Sequence, residues 1–275
     1  MSTLAVRAPG QADAAALAAL LAHVAPGPTE TVAELEHDLQ ALPPSDAWIL
    51  EEDGGLTGYA AVRTRGALIA DADLVALPGR EQALVELVER RARELGAPVL
   101  RIAPRAPGDL LATLGYRLER TFLRLGAALD ALAAPDERPV ALEVVAPSDP
   151  ALHELDQLGF AGSWGFVPET YPQWRLRIER RPVGPSFVAR AAGQPVGGIR
   201  CMYRFGWGWV CSLVVVPAAR GRGLGAQLLA AAAGELDASH IGLEVDELNA
   251  PARRLYDAAG LREVDRERFF EKALR

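Results

Sequence analysis

The residues best suited to chemistry run from Ala218 to Leu229, AARGRGLGAQLL. Gly221, Gly223 and Gly225 alternate there with Arg220, Arg222 and Leu224, and a helix-forming run follows. A helix N-terminus exposes N–H groups that lack an intrahelical acceptor, together with the positive end of the dipole, so it binds anions. Glycines let backbone amides approach a ligand with no Cβ in the way. A strand, a glycine turn and a helix therefore read as a phosphate cradle, with Arg220 and Arg222 adding charge. A plain tight turn with two solvated arginines accounts for the same letters. The P-loop pattern fails, because no Lys-Ser/Thr follows. Gly221-x-Gly223-x-x-Ala226 does match the dinucleotide pattern, and Glu244 lies about 20 residues on, where a ribose-binding acid belongs. The surrounding elements argue against that reading, since a dinucleotide fold needs about six parallel strands.

What precedes the turn is a meander. Ser186–Pro217 reads as three strands, with turns at Gly193-Gln194 and Phe205-Gly206. After the turn, Leu224, Leu228, Leu229, Ala232 and Leu236 share one face of a helix. Ile241–Val245 is a strand. Asn249 is a good N-cap with Pro251 in the first turn behind it, and Gly260 ends that helix as a C′ glycine. Leu261–Leu274 closes the half as a strand or hairpin. Upstream, Val140–Pro147 reads as a strand and Pro150–Glu179 as an aromatic-bearing helical stretch.

The first half repeats this order more faintly. Trp48–Val62 aligns with Phe187–Cys201 at one constant offset, so that Gly54 meets Gly193 and Gly58 meets Gly197. Val99–Arg120 echoes Gly242–Val264. The Ala- and Pro-rich Asp130–Val140 between the halves reads as a linker. The expectation is one α/β module duplicated, as domains 1–134 and 138–275, a period too long for a solenoid. The first copy has lost the glycine turn: Ala76–Ala92 is shorter there and holds one glycine. Where the second copy has Asn249 and Tyr256, the first has approximately Pro104 and Leu111.

Bulk properties fit a soluble globular protein with an ample core. The chain has 275 residues, 50% hydrophobic and 24% charged, with net charge −7, which disfavours a large nucleic-acid surface. Its two cysteines, Cys201 and Cys211, suggest neither a disulfide framework nor a metal site. The opening MSTLAVRAPG has no charged segment followed by an apolar run, and no stretch reaches the ~20 apolar residues of a membrane span. A cytoplasmic protein that binds neither membrane nor nucleic acid is expected.

Ser212–Pro217, Arg220–Leu229, Leu243–Val245 and Asn249–Gly260 together resemble the GCN5-related N-acetyltransferase (GNAT) superfamily, whose Q/R-x-x-G-x-G/A signature is met by Arg220, Gly223 and Gly225. The resemblance covers roughly residues 138–275. With the weaker copy in front, the chain is similar to tandem acetyltransferases of the mycothiol synthase type. The implied fold is two α/β domains, each a mostly antiparallel sheet flanked by helices.

The resemblance implies acetyl-CoA as cosubstrate and no metal. The amides of Gly221, Arg222, Gly223, Leu224, Gly225 and Ala226 would hold the pyrophosphate, with Arg220 beside them. Leu213, Val214 and Val215 would offer strand-edge groups to the pantetheine, and a backbone N–H near Val214 or Val215 would hold the thioester carbonyl. Asn249 would contact the cofactor arm as well as cap its helix. Tyr256 is the candidate acid for the departing thiolate and Glu244 the candidate base, with Asp246 and Glu169 as rivals. Cys211 stands where many relatives carry an acid. Trp164, Phe166, Tyr171, Trp174 and Tyr203 are candidates to line the acceptor pocket. The expected acceptor is a small-molecule or peptide amine and the expected assembly a monomer or homodimer. The alternatives are a non-catalytic acyl-CoA-binding module and an NAD(P)-dependent oxidoreductase.

Overall fold

The structure is a computed structural model that describes residues 4–25, 27–65, 69–105, 109–134, 141–179 and 182–274. Its first elements are β1 (Leu4–Arg7), α1 (Ala14–Val24), α2 (Val32–Ala41), β2 (Ala47–Glu52), β3 (Gly55–Arg65) and β4 (Ile69–Ala76). Then come α3 (Glu81–Glu94), β5 (Val99–Pro104), α4 (Leu110–Thr113), β6 (Arg117–Ala128), β7 (Leu142–Val144), α5 (Pro150–Gly159) and α6 (Tyr171–Glu179). The chain ends with β8 (Val183–Ala191), β9 (Gln194–Arg204), β10 (Trp207–Val215), α7 (Leu224–Glu235), β11 (His240–Asp246), α8 (Ala250–Ala258) and β12 (Arg262–Ala273). No described helix is long and apolar enough to cross a membrane.

Packing divides the chain into two compact units, Met1–Phe122 with Val264–Arg275, and Leu123–Glu263. The first unit has strand order β1-β2-β3-β4-β5-β12. Period-2 alternation sends its side chains to two cores. Ala47, Ile49, Tyr59, Ala61 and Val75 pack under α1 and α2, while Leu50, Ala60, Val62 and Leu74 pack under α3. The second unit has strand order β6-β11-β10-β9-β8-β7. Val188 packs with Leu152 of α5 and Trp174 of α6 on one face. On the other face lie Ile199, Val210, Ile241, Leu243 and Val245, under α7 and α8. All five residues expected on the apolar face of α7 are buried there. In each unit the strand pairs are antiparallel except β4 with β5 and β10 with β11, among the pairs described.

The duplication read from the sequence is present in the hydrogen-bond register. Leu50 opposes Gly58 with a bulge immediately after Leu50, and Ala189 opposes Gly197 with a bulge immediately after Ala189. The Leu77 N–H bonds to Thr57 O as the Val216 N–H bonds to Val196 O. Tyr116 N–H to Leu111 O matches Leu261 N–H to Tyr256 O, so Leu111 does stand in the place of Tyr256.

Two expectations need adjusting, and the open choice between strand and hairpin for the last element is decided. The stretch Pro150–Glu179 is two helices, because Gly162 and Gly165 take positive φ between them. Leu261–Leu274 is one strand and not a hairpin. The units also do not part at residues 134/138. Leu123 and Leu125 enter the second core, and from Val264 on the last strand belongs to the first unit, with Phe270 opposite Ile102 and Lys272 opposite Leu100. A free β5 edge needs a partner, and β12 supplies it. Lys272, the sole lysine of the chain, fastens β12 to Glu89 of α3 at 2.7 Å. Of the expected linker, Leu129–Ala131 is a single 3-10 turn, and residues 135–140 lie outside the described residues.

Candidate functional site

The parallel pair β10/β11 runs for three residue pairs, Gly208–Ile241, Trp209–Gly242 and Val210–Leu243, and stops. At that point β10 carries a bulge at Cys211, between Val210 and Ser212. An extra residue bends its strand and ends local pairing, so β10 parts from β11. Beyond the bulge, β10 keeps its pairing to β9 through Val215–Gly197. The Val216 N–H points to Val196 O on β9. Antiparallel alternation then turns the Val214 backbone groups toward β9 as well, and those of Leu213 and Val215 toward the opening. Val214 is therefore not an edge donor. Its side chain instead fills the space beside Gly159 of α5, where an added Cβ would sit 2.5 Å from Val214 Cγ1.

At the open end lies the glycine turn. Gly221 and Gly223 hold φ of +74 and +75, and Gly223 is the N-cap of α7. The first helical bond there is Gln227 N–H to Gly223 O, so the N–H groups just ahead of it have no intrahelical acceptor. A Cβ at Gly221 would meet nothing within 4 Å, and at Gly223 only Gln227 Nε2 at 3.9 Å. These two glycines thus border open space. Gly225 is different: its Cβ would touch Leu255 Cδ2 at 3.0 Å, so it serves the packing of α7 on α8. Arg220 donates from Nε to Val215 O at 2.9 Å, which ties the turn to the strand end. Neither Arg220 nor Arg222 has a carboxylate partner among the described residues, leaving a basic turn without a counter-ion.

Asn249 caps α8, with Oδ1 accepting from Ala252 N–H at 3.2 Å. Asn249 is exposed and lies three residues beyond the end of β11. Tyr256 is 7% exposed within the α7/α8 core. Burial alone pushes its phenol up to about 12, so it keeps its proton across the neutral range.

Glu244 follows the last β10–β11 pair. Its Oε1 lies 3.0 Å from Nε of the fully buried Arg124 and 3.6 Å from Arg204 Nη1. A carboxylate that neutralises two guanidiniums is poorly suited to the base role suggested by its position. Asp246 Oδ1 accepts from Leu248 N–H at 2.9 Å, and Glu169 is gripped by Arg177 through two nitrogens. Glu244→Gln is expected to destabilise the protein by about 2 kcal/mol, less than the ~3–5 of a fully buried pair, while changing kcat little. Chemical denaturation and steady-state rates measure both. A large fall in kcat at unchanged stability would restore Glu244 as the base.

The aromatic candidates separate. Trp174 is 1% exposed and donates to Asp156 Oδ2 at 3.0 Å, and Tyr171 donates to Ser148 O at 2.8 Å and stacks on Trp174. Both hold α6 on α5. Tyr203 pairs with Gly208 at the start of β10, the far end from the turn, and its hydroxyl accepts from Asp237 N–H. Trp164 and Phe166 lie on the loop after α5, which begins beside Val214. Phe166 stacks on Phe160.

Residues 149–261 match the acetyltransferase (GNAT) family. The match lies within the second half of the chain, which resembles a GNAT acetyltransferase domain. Acyl transfer is the class of reaction that such a domain performs, with acetyl-CoA as the family's donor. The whole chain has the fold of a GCN5-related N-acetyltransferase from Sphaerobacter thermophilus, with 24% identity over 99% of this chain and 96% of that one and a TM-score of 0.77. It is also similar to a tandem GNAT protein from the clavulanic acid biosynthesis pathway, with 18% identity over 99% of both chains and a TM-score of 0.75. Among curated proteins none matches this chain. The mixed, largely antiparallel sheet excludes the dinucleotide fold, and with it the oxidoreductase alternative, despite the literal Gly221-x-Gly223-x-x-Ala226 match.

Two features of the GNAT domain are missing from the first unit. There β4 and β5 pair over six positions, from Ile69–Val99 to Leu74–Pro104, and Arg105 N–H to Leu74 O prolongs the ladder. No bulge interrupts β4 against β3, so the strands stay closed. The loop to α3 has four residues against eight, and the guanidinium of Arg80 at its end is already held by Glu52 at 2.7–2.9 Å.

The sequence reading missed a buried polar group on the α5/α6 face of the domain. Asp156, 6% exposed, takes bonds from Trp174 and Ser212, with Arg200 Nη2 at 3.8 Å. Burial outweighs these contacts and raises its carboxyl. The signal was present in the sequence, since Asp156 continues the apolar stripe Ala151, Leu152, Leu155. Among the described residues no group of His, Cys, Asp or Glu is arranged to hold a metal. Cys201 and Cys211 are free thiols.

Proposed function

We propose that the second unit is an acetyl-CoA-dependent N-acetyltransferase that acts on a primary amine of a small molecule or peptide, and that the first unit is a non-transferring copy. The observation that carries this reading is the coincidence of the β10/β11 opening with the counter-ion-free glycine turn. An anion and an extended chain attached to it find matching groups there. Acetyl-CoA bound at this opening supplies a thioester-activated acetyl group. The amides from Gly221 to Ala226 take the pyrophosphate, with Arg222 adding charge. Leu213 and Val215 present the strand edge, and the Val215 N–H is the donor aimed at a carbonyl oxygen carrying developing charge. The exposed amide of Asn249 borders the cofactor arm. Tyr256 keeps a proton on Oη for the departing sulfur. Trp164 and Phe166 flank the approach of the amine from the α5/α6 face.

Calorimetric titration with acetyl-CoA tests the reading, with NADH as the comparison. One acetyl-CoA per chain and no NADH is the expected result. Two per chain would mean that the first unit is also live. Absence of acetyl-CoA binding would overturn the assignment.

A further inference from the structure

The first unit contains a small pocket of about 50 Å³ between α1, α2 and the sheet. Leucines of α1 and α2 form its apolar wall, and Glu30, Asp38, Tyr59, Arg63, Asp73 and Arg105 supply its polar lining. The charges are unevenly matched. Arg63 pairs with Asp73 and Arg105 pairs with Glu30. The half-buried carboxylate of Asp38 forms no ion pair among the described residues and meets Arg63 only by longer-range attraction, so the lining carries one more negative than positive charge.

Tyr59 gives a second, independent observation. It is 8% exposed, lines the pocket, and its hydroxyl has no hydrogen-bond partner among the described residues. Burial, with the nearby charges of Asp73, Asp38 and Glu30, pushes its phenol up. A neutral hydroxyl and a carboxylate outside any ion pair thus share one concavity, walled by leucines on one side.

Nor is the set a relic of the transfer site. At the register positions of Tyr59 and Asp73 the second unit has Gly198 and Ser212. The first unit has lost the glycine turn and the open strands, yet it has acquired polar groups on this face.

We propose that this pocket binds a small primary alkylammonium ion. The ammonium group pairs with Asp38 and donates to Tyr59 Oη, and the alkyl body buries against the leucines of α1 and α2. With no strand opening beside it, the pocket binds this cation without acetylating it. This inference does not depend on transfer by the second unit.

The test is calorimetric titration of the full chain with 3-methylbutylammonium, and with 3-methylbutanoate as the anionic control. Saturable binding of the cation at one site is expected, with none of the anion. Asp38→Asn should weaken it about tenfold or more, the scale of a hydrogen bond to a charged group, and Asp38→Glu should keep most of the affinity. Tyr59→Phe should weaken it about threefold, the scale of a neutral hydrogen bond. Thermal melts of the variants check that the fold is retained. Gly223→Asn, which alters the second unit, should leave this binding unchanged. The proposal is overturned by absence of saturable binding, by preference for the anion, by full affinity in Asp38→Asn, or by loss of amine binding in Gly223→Asn.

Discussion

Replacing Tyr256 with phenylalanine should lower kcat by about 10²–10⁴-fold, the range of a positioned general acid, while acetyl-CoA affinity stays within about twofold. The substitution keeps the ring that packs in the α7/α8 core and removes only the oxygen, so the fold should be nearly unaffected. The split between kcat and affinity is what identifies an acid. A purely packing tyrosine would alter neither, and a cofactor contact would alter affinity. A variant with normal turnover would remove Tyr256 from the mechanism.

The same phenol should leave a mark on stability. Its pKa is raised from the ordinary 10 to about 12 by burial. Above pH 10 the unfolded chain releases this proton first, while the native state holds it until about pH 12. The native state therefore binds more protons in that window, and stability falls as pH rises through it. Below pH 10 both states are protonated and the contribution is constant. Tyr256→Phe should lack this part of the alkaline slope. Denaturation curves of both proteins between pH 9 and 12 would measure the difference (the window set by the pKa values cited).

Substitution at Gly223 should have the second large effect, on acetyl-CoA binding. Valine there should weaken binding about 100-fold, and asparagine about tenfold. Gly223 sits at φ +75, which a β-branched residue resists and asparagine tolerates. Valine thus combines strain with obstruction, whereas asparagine mostly obstructs. Because an added Cβ at Gly223 would meet only Gln227 Nε2 at 3.9 Å, the side chain projects into space rather than into the core. The melting temperature of Gly223→Asn should accordingly stay close to that of the parent. Unchanged affinity in both variants would dismiss the turn as an anion cradle. Gly225 is the contrasting position: valine there would strike Leu255 and reduce stability and binding together.

Much was legible in the order of residues, because it depends on short-range rules. Periodicity marked the buried face of α7, the dipeptide turns marked the meander, and Asn249 and Gly260 marked the limits of α8. The glycine turn, its position before a helix, and the lost turn of the first copy are likewise local features. The constant offset between the copies reappeared as the same register and the same bulge after Leu50 and Ala189.

Only the tertiary structure decided which backbone groups face the opening. One extra residue at Cys211 ends the β10–β11 ladder and, through alternation, turns Leu213 and Val215 outward and Val214 inward. Sequence alone does not reveal that phase. The partners of Glu244 were equally hidden, since Arg124 lies 120 positions away and meets it only once β6 and β11 are in one unit. The fate of Tyr171, Trp174 and Tyr203 followed from which face and which end of the sheet they occupy. The last strand shows the same limit. Its alternation says that it is a strand, but the choice of β5 as its partner depends on which edge the folded first unit leaves open.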